Sequence, residues 1–478
     1  MKKILICASC LVLLGACTKD IERFNEDTKR PPEAPPTAPF SNAVRNLVDG
    51  ITSPSVNVNV YRFTVQHWAM TTYNDEVQYD FLTRAIPQAW WTRMYRDVLN
   101  DLNESAKLIT DDVSLPAVPA TTKTNQLAMI DIMKVYAFHV LVNTFGNIPY
   151  TEALNINALF PKYDDAKTVY SDLLTKLTAA TAKLNTTAGG MPAAQDFIGQ
   201  GSVGKWIKFA NSLQVRMAMI IADVDDAKAK SFMEAADTKA ISSAADDVIF
   251  SYLGSSPNTN PIWLDIVQSG RADYVSAKPL VDTLVKLSDP RLSLFYRPNN
   301  AGNWVGGVVG TANTFNAVAR PHNKFSAPDL PSTIIDYMEM EFFRAEAKER
   351  GYAIAGTATQ HYNNAITASI IAWGGTAADA ATYLARPDVA YATATGTWRQ
   401  KIGIQKWIAL YNRPVEGWTE IRRLDFPVLN PPVGAKSGFP NRFTYPANEQ
   451  VLNGTNYTAA AAAIGGDKVE TKLFWDKF

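Results

Sequence analysis

Residues 127–142 read LAMIDIMKVYAFHVLV. Leu127, Ile130, Val135, Tyr136, Val140 and Val142 fall at mixed three- and four-residue steps, which lays a broad apolar face along a helix and marks that helix as buried. The run Asn143-Thr144-Phe145-Gly146-Asn147-Ile148-Pro149 stops it. Downstream, Asp164-Asp165 supplies a cap and negative charge for a helix N-terminus, and Val169, Leu173, Leu177 and Leu184 then form one apolar stripe. The two segments predict a helical hairpin. Similar pairs follow at Val203–Ile221 with Lys228–Ala236, Thr333–Arg350 with Ala358–Trp373, and Gly403–Tyr411 with Gly417–Leu424. Strand-like alternation is scarce, so the fold class is mostly α. No period of about 34 residues carries the Trp-Leu-Gly spacing of a regular tetratricopeptide repeat, so the scaffold is expected to be an irregular, tetratricopeptide-like stack of helix pairs.

Between about residues 239 and 330 the character changes. Ser255-Ser256-Pro257-Asn258-Thr259-Asn260-Pro261 and the stretch from Gly302 to Thr314 read as long loops. Loops of that length are uncommon without a purpose, so a loop-rich irregular region packed on the scaffold is expected to carry function. The Ala/Gly/Thr-rich stretches 374–397 and 453–466 read as surface excursions. The chain has 478 residues, 47% hydrophobic and 19% charged, with 46 basic against 46 acidic side chains. That is a globular composition, too long for one small core. A neutral balance offers no surplus of cations to displace counterions from a phosphate backbone, which excludes nucleic acid as the expected partner.

Met1-Lys2-Lys3 followed by the apolar run from Ile4 to Ala16 has the order of a secretory signal, and the run is shorter than the roughly 20 residues of a bilayer span. Its end, Leu14-Gly15-Ala16-Cys17, resembles a lipobox, in which Cys17 receives a lipid and becomes the new N-terminus. Residues 1–16 then form the signal peptide. Their removal takes Cys7 and Cys10, lipidation uses Cys17, and no cysteine is left for a disulfide, a zinc site or a nucleophile. Loss of Lys2 and Lys3 lowers the 46 basic side chains to 44 against 46 acidic, a net of about −2. Residues 17–39, with Pro31, Pro32, Pro35, Pro36 and Pro39, read as an extended tether. Beyond Phe40 no run is expected to span a membrane, and residues 40–478 form the soluble body.

Several strings in that body resemble one family. The segment Gly204-Lys205-Trp206-Ile207-Lys208-Phe209-Ala210-Asn211-Ser212-Leu213-Gln214-Val215-Arg216 resembles the signature helix of SusD/RagB proteins. Asp289-Pro290-Arg291-Leu292, Phe343-Arg344-Ala345-Glu346-Ala347-Lys348-Glu349-Arg350-Gly351, Gln405-Lys406-Trp407 and Arg422-Arg423-Leu424-Asp425-Phe426-Pro427 are similar to its later motifs. So is the tail Phe439-Pro440-Asn441-Arg442-Phe443-Thr444-Tyr445-Pro446, with Glu449 and Asn453. They run in family order over nearly the whole mature chain, with a closer likeness to the second subgroup than to the starch-binding founder. The resemblance implies four tetratricopeptide-like helix pairs with an irregular region on top. It also implies an outer-membrane, cell-surface lipoprotein that binds a nutrient, usually a glycan, without catalysis, and hands it to a TonB-dependent barrel. The charged residues just behind Cys17 resemble a surface-export signal of Bacteroidetes lipoproteins.

Catalytic and metal motifs find little support. Gly199-Gln200-Gly201-Ser202-Val203-Gly204-Lys205 has the glycine and lysine spacing of a phosphate loop, but Trp206 stands where a hydroxyl must ligate magnesium, so a helix entry is expected. His67, His139, His322 and His361 lack a second His or Cys at helical spacing, and His139 reads as a core residue. No metal or other cofactor is implied. The acidic pairs at 75–76, 111–112, 164–165, 225–226 and 246–247 are adjacent, whereas glycosidic carboxylates face each other across the bond. Most of them flank helix starts.

A sugar ring needs an aromatic face for its C–H groups and polar side chains at the rim. Two regions mix these types: residues 68–80, and the central section with Asn260, Trp263, Asp265, Arg271, Tyr274, Asn303 and Trp304. The expected ligand-binding residues are Trp68, Tyr73, Asn74, Trp263 and Trp304. Trp90, Trp91, Tyr95, Trp206, Trp407 and Trp418 are assigned to packing. Two further readings use the same residues, a peptide or glycopeptide receptor and a glycan hydrolase with Asp75 and Asp265 as separated acids.

Overall fold

A computed structural model describes residues 35–112 and 117–478. Cys17 and the signal segment lie outside the described residues. The body begins earlier than the prolines suggest: helix α1 spans Ala38–Thr52 with Pro39 in its first turn, and the Pro36 carbonyl already accepts the Ser105 hydroxyl at 2.8 Å. Proline fits there because the first helical positions have no intrahelical partner for the N–H that proline lacks.

The helix pairs stand where the periodicity places them. Helix α2 (Asn100–Asp111) leads into α3 (Ala120–Phe145), which packs on α4 (Ala166–Lys183). The remaining pairs are α5 (Val203–Ile220) with α6 (Asp226–Ala236), α7 (Tyr337–Glu349) with α8 (Ala358–Ala372), and α9 (Trp398–Ala409) with α10 (Pro414–Leu424). Helix α3 is long and apolar enough to cross a membrane by length and composition, but 83% of its most apolar window is buried inside the protein. It is a buried helix of the stack. Gly146 ends it at a φ of +86°, a conformation that a side chain disfavours. The acid at 165 caps α4 by accepting the Thr168 N–H at 2.8 Å, and Asp225 caps α6 at 3.3 Å. The predicted helix from Thr333 starts late, because Ser332–Ile335 pairs as a strand with Val248–Phe250 and Asp336 then caps α7. The stretches 374–397 and 453–466 each contain a helix, Ala377–Leu384 and Gly454–Ala463.

Buried charge joins the pairs. Arg216 on α5 holds Glu339 on α7 through two bonds of 2.7 and 2.8 Å, and Arg413 reaches the same carboxylate. Arg423 on α10 holds Glu346 on α7 at 2.6 and 2.5 Å and Glu420 at 2.6 Å, while Lys406 on α9 sits 3.1 Å from Glu420. Despite burial, the facing arginines hold both Glu339 and Glu346 at a pKa of about 2. Burial brings Lys406 down to about 8. Trp206, Trp407 and Trp418 fill the core as expected, as does Trp90. His139 is buried as well, within 3.1 Å of the Tyr170 hydroxyl, and burial lowers it to about 3.

Candidate functional site

Three distant segments make the irregular region. Strand β1 (Trp68–Met70) pairs antiparallel with β2 (Tyr274–Ser276) in the register Trp68↔Ser276 and Met70↔Tyr274. Strand β3 (Tyr296–Arg297) pairs with β4 (Arg320–Pro321), placing Arg297 opposite Arg320. The Ala319 carbonyl, next to β4, accepts the Ser276 N–H at 2.9 Å, and the Ala319 N–H donates to Val305 at 2.7 Å. These bonds stack the two ribbons and the 304–307 segment into one small layer.

Between them opens a cavity of about 330 Å3. Arg271, Asp273 and Tyr274 line one side, Arg297, Phe315, Arg320 and His322 the other, and Phe325 and the turn at Ile266–Val267 complete it. Among the described residues the single carboxylate in this wall, Asp273, accepts from Arg271 at 2.6 Å. Three arginines therefore face one acid. Burial and the neighbouring Lys324 and Arg297 push the His322 imidazole below its ordinary range, toward the neutral form.

The expected site residues separate into different roles. Trp68 is a correction: it is fully buried, its indole N–H donates to the Tyr411 hydroxyl at 2.7 Å, and Arg62 lies 4.5 Å from its ring. Strand β1 is covered on both faces, so no face of this indole meets solvent. Asn74 is half-buried and does not line the cavity. With its amide oriented to satisfy both atoms, it donates to the Thr311 carbonyl at 3.0 Å and accepts from Ala312 at 3.1 Å, which ties down the 308–313 loop. Tyr73 is half-buried and is not part of the cavity lining, but it touches Arg271, which is. It has a left-handed φ of +54°, its ring lies 4.9 Å from the Arg84 guanidinium and 4.7 Å from that of Arg271, and its hydroxyl bonds Arg271.

Trp263 and Trp304 are half-buried, and neither lines the cavity. Trp263 closes the short helix Pro261–Trp263, which packs on the turn Asn323–Ser326 behind the cavity wall, and Trp304 packs against the core beside Val305. Arg297, Phe315 and Arg320 escaped the sequence reading, which weighed His322 only as a metal ligand. Their one local signal is Arg-Pro at 297–298 and again at 320–321: the residue before proline is driven to the extended region, which suits a strand.

Other candidates resolve into structure. The glycine-rich entry to α5 is closed by Asp196, whose carboxylate accepts the N–H groups of Ile198 (3.1 Å), Gly199 (2.8 Å) and Gly201 (3.0 Å) and the Trp206 indole (2.9 Å). The donors that a phosphate would need are occupied. Glu76 is buried against Arg84, while Asp75 is exposed and Asp265, half-buried, is raised to about 6 by burial. Neither Asp75 nor Asp265 lines the cavity. Among the described residues no group of three or more metal-ligating side chains stands together. Larger hollows lie elsewhere among the described residues. One, of about 830 Å3, runs between α3 and α4, with Asp172 paired to Lys176 and Asp131 to Lys183. Another, of about 640 Å3, lies beside α8 around Asp247 and Asp336. The second of these is also lined by aromatic and basic residues, Tyr337, Trp373 and Arg413, whereas the loop cavity brings three arginines together around Phe315.

The architecture recurs in solved structures. One described as a chitin-binding protein superposes with a TM-score of 0.79 at 24% identity, covering 93% of this chain and all of the other. A chitin-binding SusD homologue from Flavobacterium johnsoniae gives 0.79 at 23% identity, covering 92% and 98%. A SusD homologue from Bacteroides fragilis gives 0.77 at 21%, covering 93% and 100%. At these identities the likeness establishes the fold. No curated protein sequence matches the chain. The family model of the second SusD-like group, described as "Starch-binding associating with outer membrane", matches residues 28–446. With the helix-pair scaffold, the loop layer and that match in hand, the chain belongs to the SusD-like family of outer-membrane-associated, glycan-binding proteins.

Proposed function

We propose that the protein is a lipid-anchored receptor on the outer face of the outer membrane that binds an oligosaccharide in the loop cavity and delivers it, uncleaved, to a TonB-dependent transporter. The observation that carries this reading is the cavity itself. It combines aromatic surface from Phe315 with guanidinium and imidazole groups that can hydrogen-bond sugar hydroxyls. Among the described residues its one carboxylate is already engaged, which suits binding and sets no second acid there to attack or protonate a glycosidic bond. Tyr73 reaches the cavity through its bond to Arg271, and the half-buried Trp263 and Trp304, outside the lining, are the remaining aromatic candidates of this reading. Cys17 carries the lipid in this reading.

Calorimetry against a glycan panel tests the binding. Tyr73→Ala is expected to weaken the best ligand about tenfold, with smaller losses for Trp263→Ala and Trp304→Ala and an unchanged helical circular dichroism spectrum. Full affinity in all three variants, or products released on prolonged incubation, contradicts the reading. A peptide that binds where every glycan fails favours the receptor of peptides instead. Fractionation of a Cys17→Ala variant tests the anchor, and co-purification of a β-barrel with the wild-type protein tests the partner.

A further inference from the structure

The β3–β4 ladder holds Arg297 and Arg320 directly opposite each other at the cavity wall. Like charges in opposed cross-strand positions destabilise a ribbon, and the usual relief is a carboxylate between them. Among the described residues neither arginine forms an ion pair. Arg320 is oriented by neutral acceptors alone: Asn316 Oδ1 at 3.0 Å, Asn300 Oδ1 at 2.9 Å and the Pro298 carbonyl at 3.2 Å. The Nε atoms of both arginines are buried and without a hydrogen-bond acceptor. Burial and the facing Arg320 hold Arg297 below the ordinary guanidinium range, yet an arginine keeps its charge in a protein. Arg271, across the cavity, already has Asp273. The uncompensated charge of this wall is therefore that of Arg297 and Arg320. Phe315 adds an apolar face 5.4 Å from the Arg320 guanidinium.

We infer that the cavity takes the acidic sugar of an anionic oligosaccharide, its carboxylate or sulfate seated between Arg297 and Arg320 and its ring against Phe315. The inference rests on the glycan-binding reading above and gives it a ligand class. Planar guanidinium groups match two-oxygen anions in a fork geometry that neutral hydroxyls do not exploit. A compact hollow of about 330 Å3 suits one or two sugar rings better than an extended acidic peptide.

The test is calorimetry of the full-length protein with matched probes: trigalacturonate and its methyl ester, a sulfated galactose oligosaccharide and its desulfated parent, and hexaglutamate. At least one anionic sugar is expected to bind ten times or more tightly than its neutral counterpart, and the pair that responds distinguishes carboxylate from sulfate. In Arg297→Gln and Arg320→Gln the ratio of charged to neutral affinity falls toward one. Arg297→Lys, which keeps the charge without the fork, retains part of the ratio and covers the case in which a Gln variant fails to fold. Equal affinity for charged and neutral sugars overturns this inference while leaving glycan capture standing. Binding of hexaglutamate alone overturns both, and failure of every anionic probe overturns the inference.

Discussion

Replacing Trp68 with Ala separates a residue of the core from a residue of the site. The indole is fully buried and meets Tyr274 at 5.6 Å and Phe325 at 5.3 Å between ring centroids. Truncation of a buried Trp to Ala costs about 3–5 kcal/mol through lost transfer energy and the cavity left behind. Two further losses add to it. The Tyr411 hydroxyl loses the indole donor at 2.7 Å, a net effect of about 0.5–1.5 kcal/mol, and the buried Arg62 loses the ring it lies over, worth up to about 2 kcal/mol when desolvated. The terms are not additive, so the expected destabilisation is roughly 4–6 kcal/mol. Trp68→Phe keeps an aromatic ring and forfeits the indole donor and part of the volume, for about 1–2 kcal/mol. Urea unfolding followed by circular dichroism measures both, and calorimetry under native conditions measures ligand affinity. Trp68→Phe is expected to bind sugar like the wild type. If Trp68→Ala proves as stable as the wild type within about 1 kcal/mol while ligand binding disappears, the indole is a binding platform and the burial argument is wrong.

Three other outcomes follow from buried polar groups. Asp196→Ala strands three backbone donors and the Trp206 indole in a buried site, and is expected to cost about 3 kcal/mol or more in thermal or urea denaturation; Asp196→Asn, which keeps one acceptor oxygen, should cost about half. Glu339 and Glu346 have folded pKa values of about 2 against an ordinary 4.5, so their stabilisation is complete above pH 4.5 and is lost as pH falls toward 2. The urea midpoint should drop across that window, with a shallower fall in Glu346→Gln; equal slopes in the two proteins would refute the assignment. Asp247 has the opposite sign: burial and Asp336 raise it to about 7, so its ionised form is penalised in the folded state above its ordinary 3.8. Asp247→Asn keeps the bond accepted from the Tyr337 N–H and should raise stability at pH 8 by on the order of 1 kcal/mol after solvent screening, with no gain at pH 4.

The scaffold was legible because its information is local. The 3.6-residue period places α3, the same period with an acid or Ser at the cap places α4 to α6, and the strings shared with the SusD-like family turn out to hold buried ion pairs that bolt helices together. Arg216, Glu346, Lys406 and Arg423 all lie in those strings, and so does Arg291, which is sealed against Asp289 at 2.6 Å. They report the fold and say nothing of the ligand. The site was less legible because its residues are joined by register. Trp68 reads as a loop aromatic until β1 meets β2, about two hundred residues away, and closes over it. Arg297 and Arg320 are ordinary arginines in sequence, and only the β3–β4 ladder sets them face to face. Tyr73 and Arg271 were both visible as members of mixed aromatic and polar segments, and the structure joins them.

A crystal structure of the protein with a bound oligosaccharide tests the central claim most directly. The account predicts an intact sugar chain with one residue inside the cavity bounded by Arg271, Arg297, Phe315 and Arg320, and Trp68 unchanged beneath it. A sugar seated in the hollow between α3 and α4, with the loop cavity left to solvent, would contradict it.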